Sequence, residues 1–255
     1  LLFAALAPPL ERALSWLGNR TARFRYRDYL PVVVLLAAGV IVTANAGDEF
    51  LDLAELVHAR SPLLQEVDRR AHDWAAAERS TGATAFFTFF TIAGTPVALG
   101  GIVAVASAIL IFQKRFRWAA YLIFTTVMGA LLVLQLKSYF ARERPDLAVA
   151  LRHADGYSFP SGHAMGSTVV SGALAYLALR ACRTWRAKAA ALAAAATFVL
   201  AVAFSRVYLG VHWISDIAAG FAAGLTWITT ATVAYEAFRR IRLIRELRRR
   251  ATTPE

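Results

Sequence analysis

Apolar residues in this chain fall in long uncharged runs. They show neither the alternation of a half-buried strand nor the one-sided stripe of a surface helix. A bilayer-spanning helix needs about 20 mostly apolar residues. Tyr29 to Ala46 is such a run, opened by Pro31. No charge falls between Arg79 and Lys114, a stretch too long for one upright span. Gly94 and Pro96 predict a break or kink inside it. Phe86, Phe87, Phe89 and Phe90 form an aromatic lead-in, and Pro96 to Phe112 the second span. Trp118–Leu136, His163–Leu179, Ala189–Phe204 and Ile217–Tyr235 complete the set. The pattern predicts an all-α, integral-membrane bundle of six helices.

Composition agrees. Of 255 residues, 58% are hydrophobic and 18% charged, with mean hydropathy +0.50, where soluble domains carry about a quarter charged. Disorder is excluded by the apolar content, and a disulfide scaffold by the single cysteine, Cys182. The formal charge of +11 raises the question of nucleic acid, which the placement of the cations answers. Lys114, Arg115 and Arg117 join spans two and three. Arg180, Arg183, Arg186 and Lys188 join spans four and five. Arg20, Arg23, Arg25 and Arg27 precede span one, and Arg239, Arg240, Arg242, Arg245, Arg248, Arg249 and Arg250 follow span six. Alternation puts all four groups on one side, which the positive-inside rule makes the cytoplasm. The cations then face anionic lipid headgroups, and no nucleic-acid partner is expected.

The expected organisation is an N-terminal cytoplasmic segment over 1–28, a six-span domain over 29–238 and a basic cytoplasmic tail over 239–255. The first outward loop, Gly47–Ser80, is rich in acids, Asp68 among them. Its leucines and valines predict a partly helical segment lying on the outer leaflet. The chain begins with Leu1, not methionine, and is read as trimmed, processed or the C-terminal part of something longer; Leu1–Leu10 is read as a remnant of an upstream span or signal, with its role left open.

Three polar clusters survive at the outward ends of spans, against the charge bias, and ionisable residues at membrane depth are functional candidates. Lys137 closes span three, with Arg144 two helical turns on, nearly on the same face, and Arg142 off that face. Pro160-Ser161-Gly162-His163 opens span four. Ser161 is a natural N-cap, and the first turn behind it is a ready anion site. Ser205, Arg206, Gly210, His212 and Asp216 precede or begin span six. His212 and Asp216 are spaced to stack on one face of a helix. A carboxylate there can hold one imidazole nitrogen and leave the other free to attack. Alone, each cluster also reads blandly, as snorkelling cations, a capped helix start or a structural His–Asp pair. Together they supply three cations, two imidazoles, a carboxylate and a helix N-terminus. That inventory suits phosphoryl transfer through a phosphohistidine. A metal site is the rival use of two His and one Asp, but three neighbouring cations would repel a dication.

Lys137-x6-Arg144-Pro145, Pro160-Ser161-Gly162-His163 and Ser205-Arg206-x5-His212-x3-Asp216, in that order, resemble the tripartite signature of the type 2 phosphatidic acid phosphatase (PAP2) family. The resemblance covers roughly Ser61 to Tyr235. It implies six helices, no metal or other cofactor, and lipid phosphate or diphosphate substrates. By the same resemblance His212 is the nucleophile, Asp216 its orienting partner and His163 the general acid and later base. Lys137, Arg144, Arg206, Ser161 and Gly162 bind phosphate. Candidate substrates are undecaprenyl diphosphate, phosphatidylglycerophosphate, phosphatidate and lipid A. The active site is expected to face the periplasm or exterior from the inner membrane, with both termini in the cytoplasm. His58 and His72 are expected to be solvated and His153 to lie on the surface. The rival from another class is a transporter of an anion or lipid phosphate using the same cations. No inverted repeat or mid-span charge accompanies them, as a transporter would show.

Overall fold

The structure, a computed structural model, describes residues 30–145 and 150–252. Among them are eight α-helices and no strand: α1 (Leu30–His58), α2 (Pro62–Ala77), α3 (Thr81–Ala93), α4 (Pro96–Phe112), α5 (Phe116–Phe140), α6 (Gly162–Ala181), α7 (Trp185–Tyr208) and α8 (Ile214–Thr252). The expected N-terminal segment with its arginines, and Leu1–Leu10, lie outside the described residues. The chain divides into two compact units, Val42–Thr232 and a second one made of Leu1–Ile41 with Val233–Glu255. Every candidate site residue belongs to the first.

The helices begin where the sequence offers side-chain caps. Ser80, Thr95, Ser161 and Thr184 each accept a hydrogen bond from the amide three residues on, satisfying an otherwise orphaned N–H. Pro96 occupies the first turn of α4, where its missing N–H costs nothing. The expected break falls there: α3 and α4 meet at 55°. Gly94 is required at that corner, since a Cβ would sit 2.3 Å from Val202 Cγ1 of α7.

Among the described residues, α5, α6, α7 and the stretch Ile214–Leu243 of α8 are long and apolar enough to cross a membrane. The bent pair α3–α4 makes a fifth if it counts as one broken span. The fold is thus that of a multi-pass, all-helical membrane protein. The expected first span lies in α1 apart from Tyr29. That helix continues to His58, so the acidic stretch after Ala46 is no loop: it is the end of α1 followed by α2. Helix α8 likewise runs on through the arginine-rich tail to Thr252.

Helix α6 is the most enclosed, burying Ala164, Met165, Ser167, Thr168, Val169 and Val170 along one stretch. It packs on α5 and α7, while α2 and α3 pack on α7 and α4 packs on α5. Small residues let α8 approach. A Cβ on Gly220 would lie 2.8 Å from Ser161 O, and one on Gly224 2.9 Å from Thr168 Cβ. This is the small-xxx-small contact by which helices pack closely in lipid, and it locks the start of α8 against the start of α6.

Candidate active site

The helix ends bring the three clusters together. Helix α7 stops at Tyr208 in a Schellman turn: Gly210 N–H donates to Val207 O (2.9 Å) and Val211 N–H to Arg206 O (3.1 Å). Gly210 takes φ +76° there, a backbone region open to glycine. The reversal places Arg206, on the last turn of α7, beside His212, just ahead of α8. His212 and Asp216 do not share a helical face as expected, because α8 begins only at Ile214. The pair forms across the helix start. Asp216, third residue of α8, reaches back to accept from Trp213 N–H at 3.0 Å, half of a capping box, and its Oδ2 also meets His212 Nδ1 at 3.1 Å.

Arg144 also departs from expectation. Helix α5 ends at Phe140, with Ala141 left-handed (φ 45°, ψ 34°), so no shared face joins Arg144 to Lys137. Backbone carbonyls position it instead: Nε donates to Gly156 O (2.9 Å), Nη1 to Val211 O (2.8 Å) and Nη2 to Asp155 O (2.9 Å) and Tyr157 O (3.2 Å). Nη1 also lies 3.1 Å from His212 Nε2. A guanidinium only donates, so Nε2 must accept and the ring proton sits on Nδ1, facing Asp216. His212 is 2% exposed. Burial, then the neighbouring Arg206, Arg144 and Lys137 charges, hold its imidazole well below the usual histidine range, and therefore neutral.

Lys137, Arg144, Gly162, His163, Arg206 and His212 line one cavity of about 900 Å³. Lys137 Nζ donates to Tyr157 O and Ser158 O, and Arg206 Nη1 to Thr91 Oγ1. Arg206 Nε and His163 Nε2 are buried without a hydrogen-bond partner. Ser161 does not join the lining. It is buried, its hydroxyl accepts from Ala164 N–H (3.4 Å) and its own N–H donates to Asp216 O (2.9 Å). The Ser205 hydroxyl is likewise spent on Val202 O (2.6 Å). Below the cations the cavity turns apolar and continues between α4 and α5, past Leu99, Val103, Ala130 and Val127 to Ile111 and Ile123.

Behind His212 lies a layer that the sequence reading missed. Arg142, set aside there as off the useful face, donates from Nη1 to Asp216 Oδ1 and Ser215 Oγ and from Nη2 to Asp68 Oδ2, each at 2.7 Å. Asp68, read as one acid of an exposed loop, is 1% exposed. It also accepts from Ser215 N–H (3.0 Å) and Ser215 Oγ–H (2.7 Å). Its buried side chain faces Arg142 and Ser215 at the start of α8, a placement that only the docking of α2 reveals. His72 is not solvated either: it is half-buried, its ring centroid 5.8 Å from that of Trp213. His58 is exposed, and His153 is exposed beside Asp155 at 2.8 Å. No three His, Cys, Asp or Glu side chains form a metal-binding group among the described residues.

Fold and cavity together define a multi-pass helical membrane protein with a cation-rich site at the head of an apolar channel. Residues 118–240 match the PAP2 superfamily. The chain is 31% identical over 179 residues to phosphatidylglycerophosphatase B of Bacillus subtilis (strain 168), covering 69% of this chain and 86% of that one. It is 37% identical over 87 residues to a putative undecaprenyl-diphosphatase of Escherichia coli (strain K12), covering 34% and 39%. The crystal structure of a transmembrane PAP2 type phosphatidylglycerolphosphate phosphatase from Bacillus subtilis superposes with a TM-score of 0.70 at 27% identity, covering 75% of this chain and 94% of that one. The chain belongs to the PAP2 superfamily. It is a phosphatase.

Proposed function

We propose that this phosphatase hydrolyses a lipid phosphate or diphosphate at the outer leaflet through a phosphohistidine on His212. The observation that carries this reading is the continuity of one cavity, from His212, His163 and the cations Lys137, Arg144, Arg152 and Arg206 into an apolar channel. A charged headgroup and a hydrocarbon tail each find a matching environment there. The channel follows α4 from Pro96 to Ile111, about 22 Å at 1.5 Å per residue.

The neutral His212, proton on Nδ1 and steadied by Asp216, presents the Nε2 lone pair. Arg144 leaves Nε2 for a phosphoryl oxygen as substrate enters. Lys137 and Arg206 take the remaining oxygens with the start of α6 at Gly162, where transition-state charge gathers. Ser161 serves by capping that helix, its hydroxyl turned away from the cavity. Attack of Nε2 on phosphorus breaks the bond to the lipid oxygen, which takes a proton from His163. His163 then removes a proton from water, whose oxygen displaces His212 and releases inorganic phosphate. No metal or cofactor enters these steps.

The proposed architecture has six spans within 29–238, α1 supplying the first, with both termini and the basic tail at the cytoplasmic face against anionic headgroups. The polar face would look into the periplasm or exterior, and α2 would lie at the outer interface. Undecaprenyl diphosphate, phosphatidylglycerophosphate, phosphatidate and lipid A are the candidate substrates. The test is phosphate release by the purified protein in detergent with EDTA, across those lipids, beside His212→Ala. Release that survives EDTA and disappears in the variant supports the reading, and near-normal release by His212→Ala ends it.

A further inference from the structure

The proposed catalytic carboxylate does not stand alone. Asp216 and Asp68 are both buried, 0% and 1% exposed, and they come from helices separated by nearly 150 residues of chain. Arg142, its side chain 15% exposed, sits between them and gives one arm of its guanidinium to each, at 2.7 Å. Ser215 closes the ring, accepting from Arg142 and donating to Asp68. The Trp213 ring lies 5.8 Å from the guanidinium carbon and covers it. Asp216 Oδ1 accepts from Arg142 while Oδ2 accepts from Trp213 N–H and faces His212 Nδ1, so the carboxylate is held through both oxygens and its plane is fixed.

We propose that Asp68 is a positioning residue of the phosphatase reaction: through Arg142 and Ser215 it fixes the Asp216 carboxylate, and with it the His212 imidazole. The inference rests on the reading of His212 as nucleophile. Two physical consequences follow from the geometry. The fork of Arg142 is satisfied only while both carboxylates are present, and a planar guanidinium held at both ends has one orientation left. The charge is also divided. Two carboxylates share one guanidinium, leaving a net negative charge beside the imidazole, which stabilises the positive charge that His212 gains on attack. Removing Asp68 gives Arg142 to Asp216 alone, free to turn toward it and draw its electron density away from His212.

A second role competes with this one, since Asp68 also binds α2 to the start of α8 through Ser215. The two roles separate by kinetics. Asp68→Asn keeps shape and removes charge, whereas Trp74→Ala loosens α2 elsewhere, where Trp74 meets Phe204 of α7 edge-on at 6.0 Å. Each variant, purified in detergent, is assayed for kcat and KM with the best lipid phosphate and for its melting temperature. The expected result is a kcat about 10- to 100-fold lower in Asp68→Asn with KM little changed, less than the loss of a triad's third member because Asp68 stands one step further out. Trp74→Ala keeps wild-type kcat, and Asp68→Glu recovers part of the loss. Wild-type kcat in Asp68→Asn, or an equal kcat loss in Trp74→Ala, overturns the proposal. Should Asp68→Asn not fold, Arg142→Lys decides. An ammonium cannot hold both carboxylates in the fork geometry, so kcat falls; unchanged kcat in that folded variant overturns the proposal too. His212→Ala runs alongside. If it stays active, the nucleophile reading fails and takes this inference with it; if it is dead while Asp68→Asn is normal, this inference alone fails.

Discussion

Asp216 holds His212 by the same oxygen that caps helix α8: Oδ2 lies 3.1 Å from the His212 Nδ1 and 3.0 Å from the Trp213 amide. Orientation of the proposed nucleophile and the start of the helix are therefore one construction. Asp216→Asn should damage both. The amide has one acceptor atom for the donors of Arg142, His212, Trp213 and Ser158, so an N–H must face Arg142 or the ring N–H. The wrong histidine tautomer becomes competitive, and kcat should fall by about 10³–10⁴, as when a triad aspartate is neutralised. Arg142 is at the same time left partly unpaired in a buried place, so the melting temperature should fall as well. Phosphate release and thermal unfolding in detergent measure the two effects separately. A variant that melts lower yet turns over normally would show that the cap matters and the orientation does not.

Arg144 offers a different kind of test, because it binds four backbone carbonyls as well as His212. It pegs the segment around Asp155–Tyr157 over the cavity. A lysine in its place keeps the charge but presents its donors from a single point. Arg144→Lys should raise KM by about tenfold or more, the worth of one charged hydrogen bond. Limited proteolysis should also cut within 150–157 faster than in the wild type. Wild-type KM together with an unchanged cleavage rate would contradict the peg.

The signature residues were legible in the sequence because polar groups are rare in a greasy chain, and those few collect at span ends. The Gly94–Pro96 break and the Ser161 cap were legible for local reasons, since proline and serine act on their own backbone. Arg142 and Asp68 were not. Nothing local separates Asp68 from Asp73 or Glu66, and only the docking of α2 against Arg142 and the start of α8 buries it. The Lys137–Arg144 spacing misled because α5 terminates in a left-handed alanine, at a position carrying neither glycine nor asparagine, the residues that announce such an end. His72 failed in the same way as Asp68: its partner Trp213 is 141 positions away by the numbering.

The lowered imidazole pKa of His212 sets an expectation for pH. Free histidine protonates near 6.5, but in the folded protein burial and the neighbouring cations keep His212 neutral well below that. As the proposed nucleophile, His212 should stay competent as pH falls through about 6.5, so the acid limb of kcat/KM should show no histidine-like loss there attributable to it. Stability moves the other way. Below about 6.5 the unfolded chain binds a proton at this position that the native protein does not, so the native state loses stability as pH falls from that value. Melting temperature against pH should slope downward on the acid side, and His212→Gln should flatten the slope. An identical slope in that variant would remove His212 as its source.

The apolar channel can be tested without touching any polar residue. Gly100 lines it, and a Cβ built there meets nothing within 4 Å. Gly100→Leu therefore starts a side chain into the channel from an unobstructed Cβ, and replacing glycine inside α4 favours the helix by up to about 1 kcal/mol. Loss of folding is thus not the expected result. If the lipid tail lies between α4 and α5, the leucine displaces part of it. Two methylenes at about 0.8 kcal/mol each amount to roughly a tenfold loss. Hydrolysis of a long-chain lipid phosphate should fall by that factor in kcat/KM, while hydrolysis of a short water-soluble phosphate ester, which leaves the channel empty, should be unchanged. Equal loss on both substrates would mean that Gly100 acts on the chemistry or the fold. No loss on either would place the tail outside the channel, against the lipid-facing surface of α5.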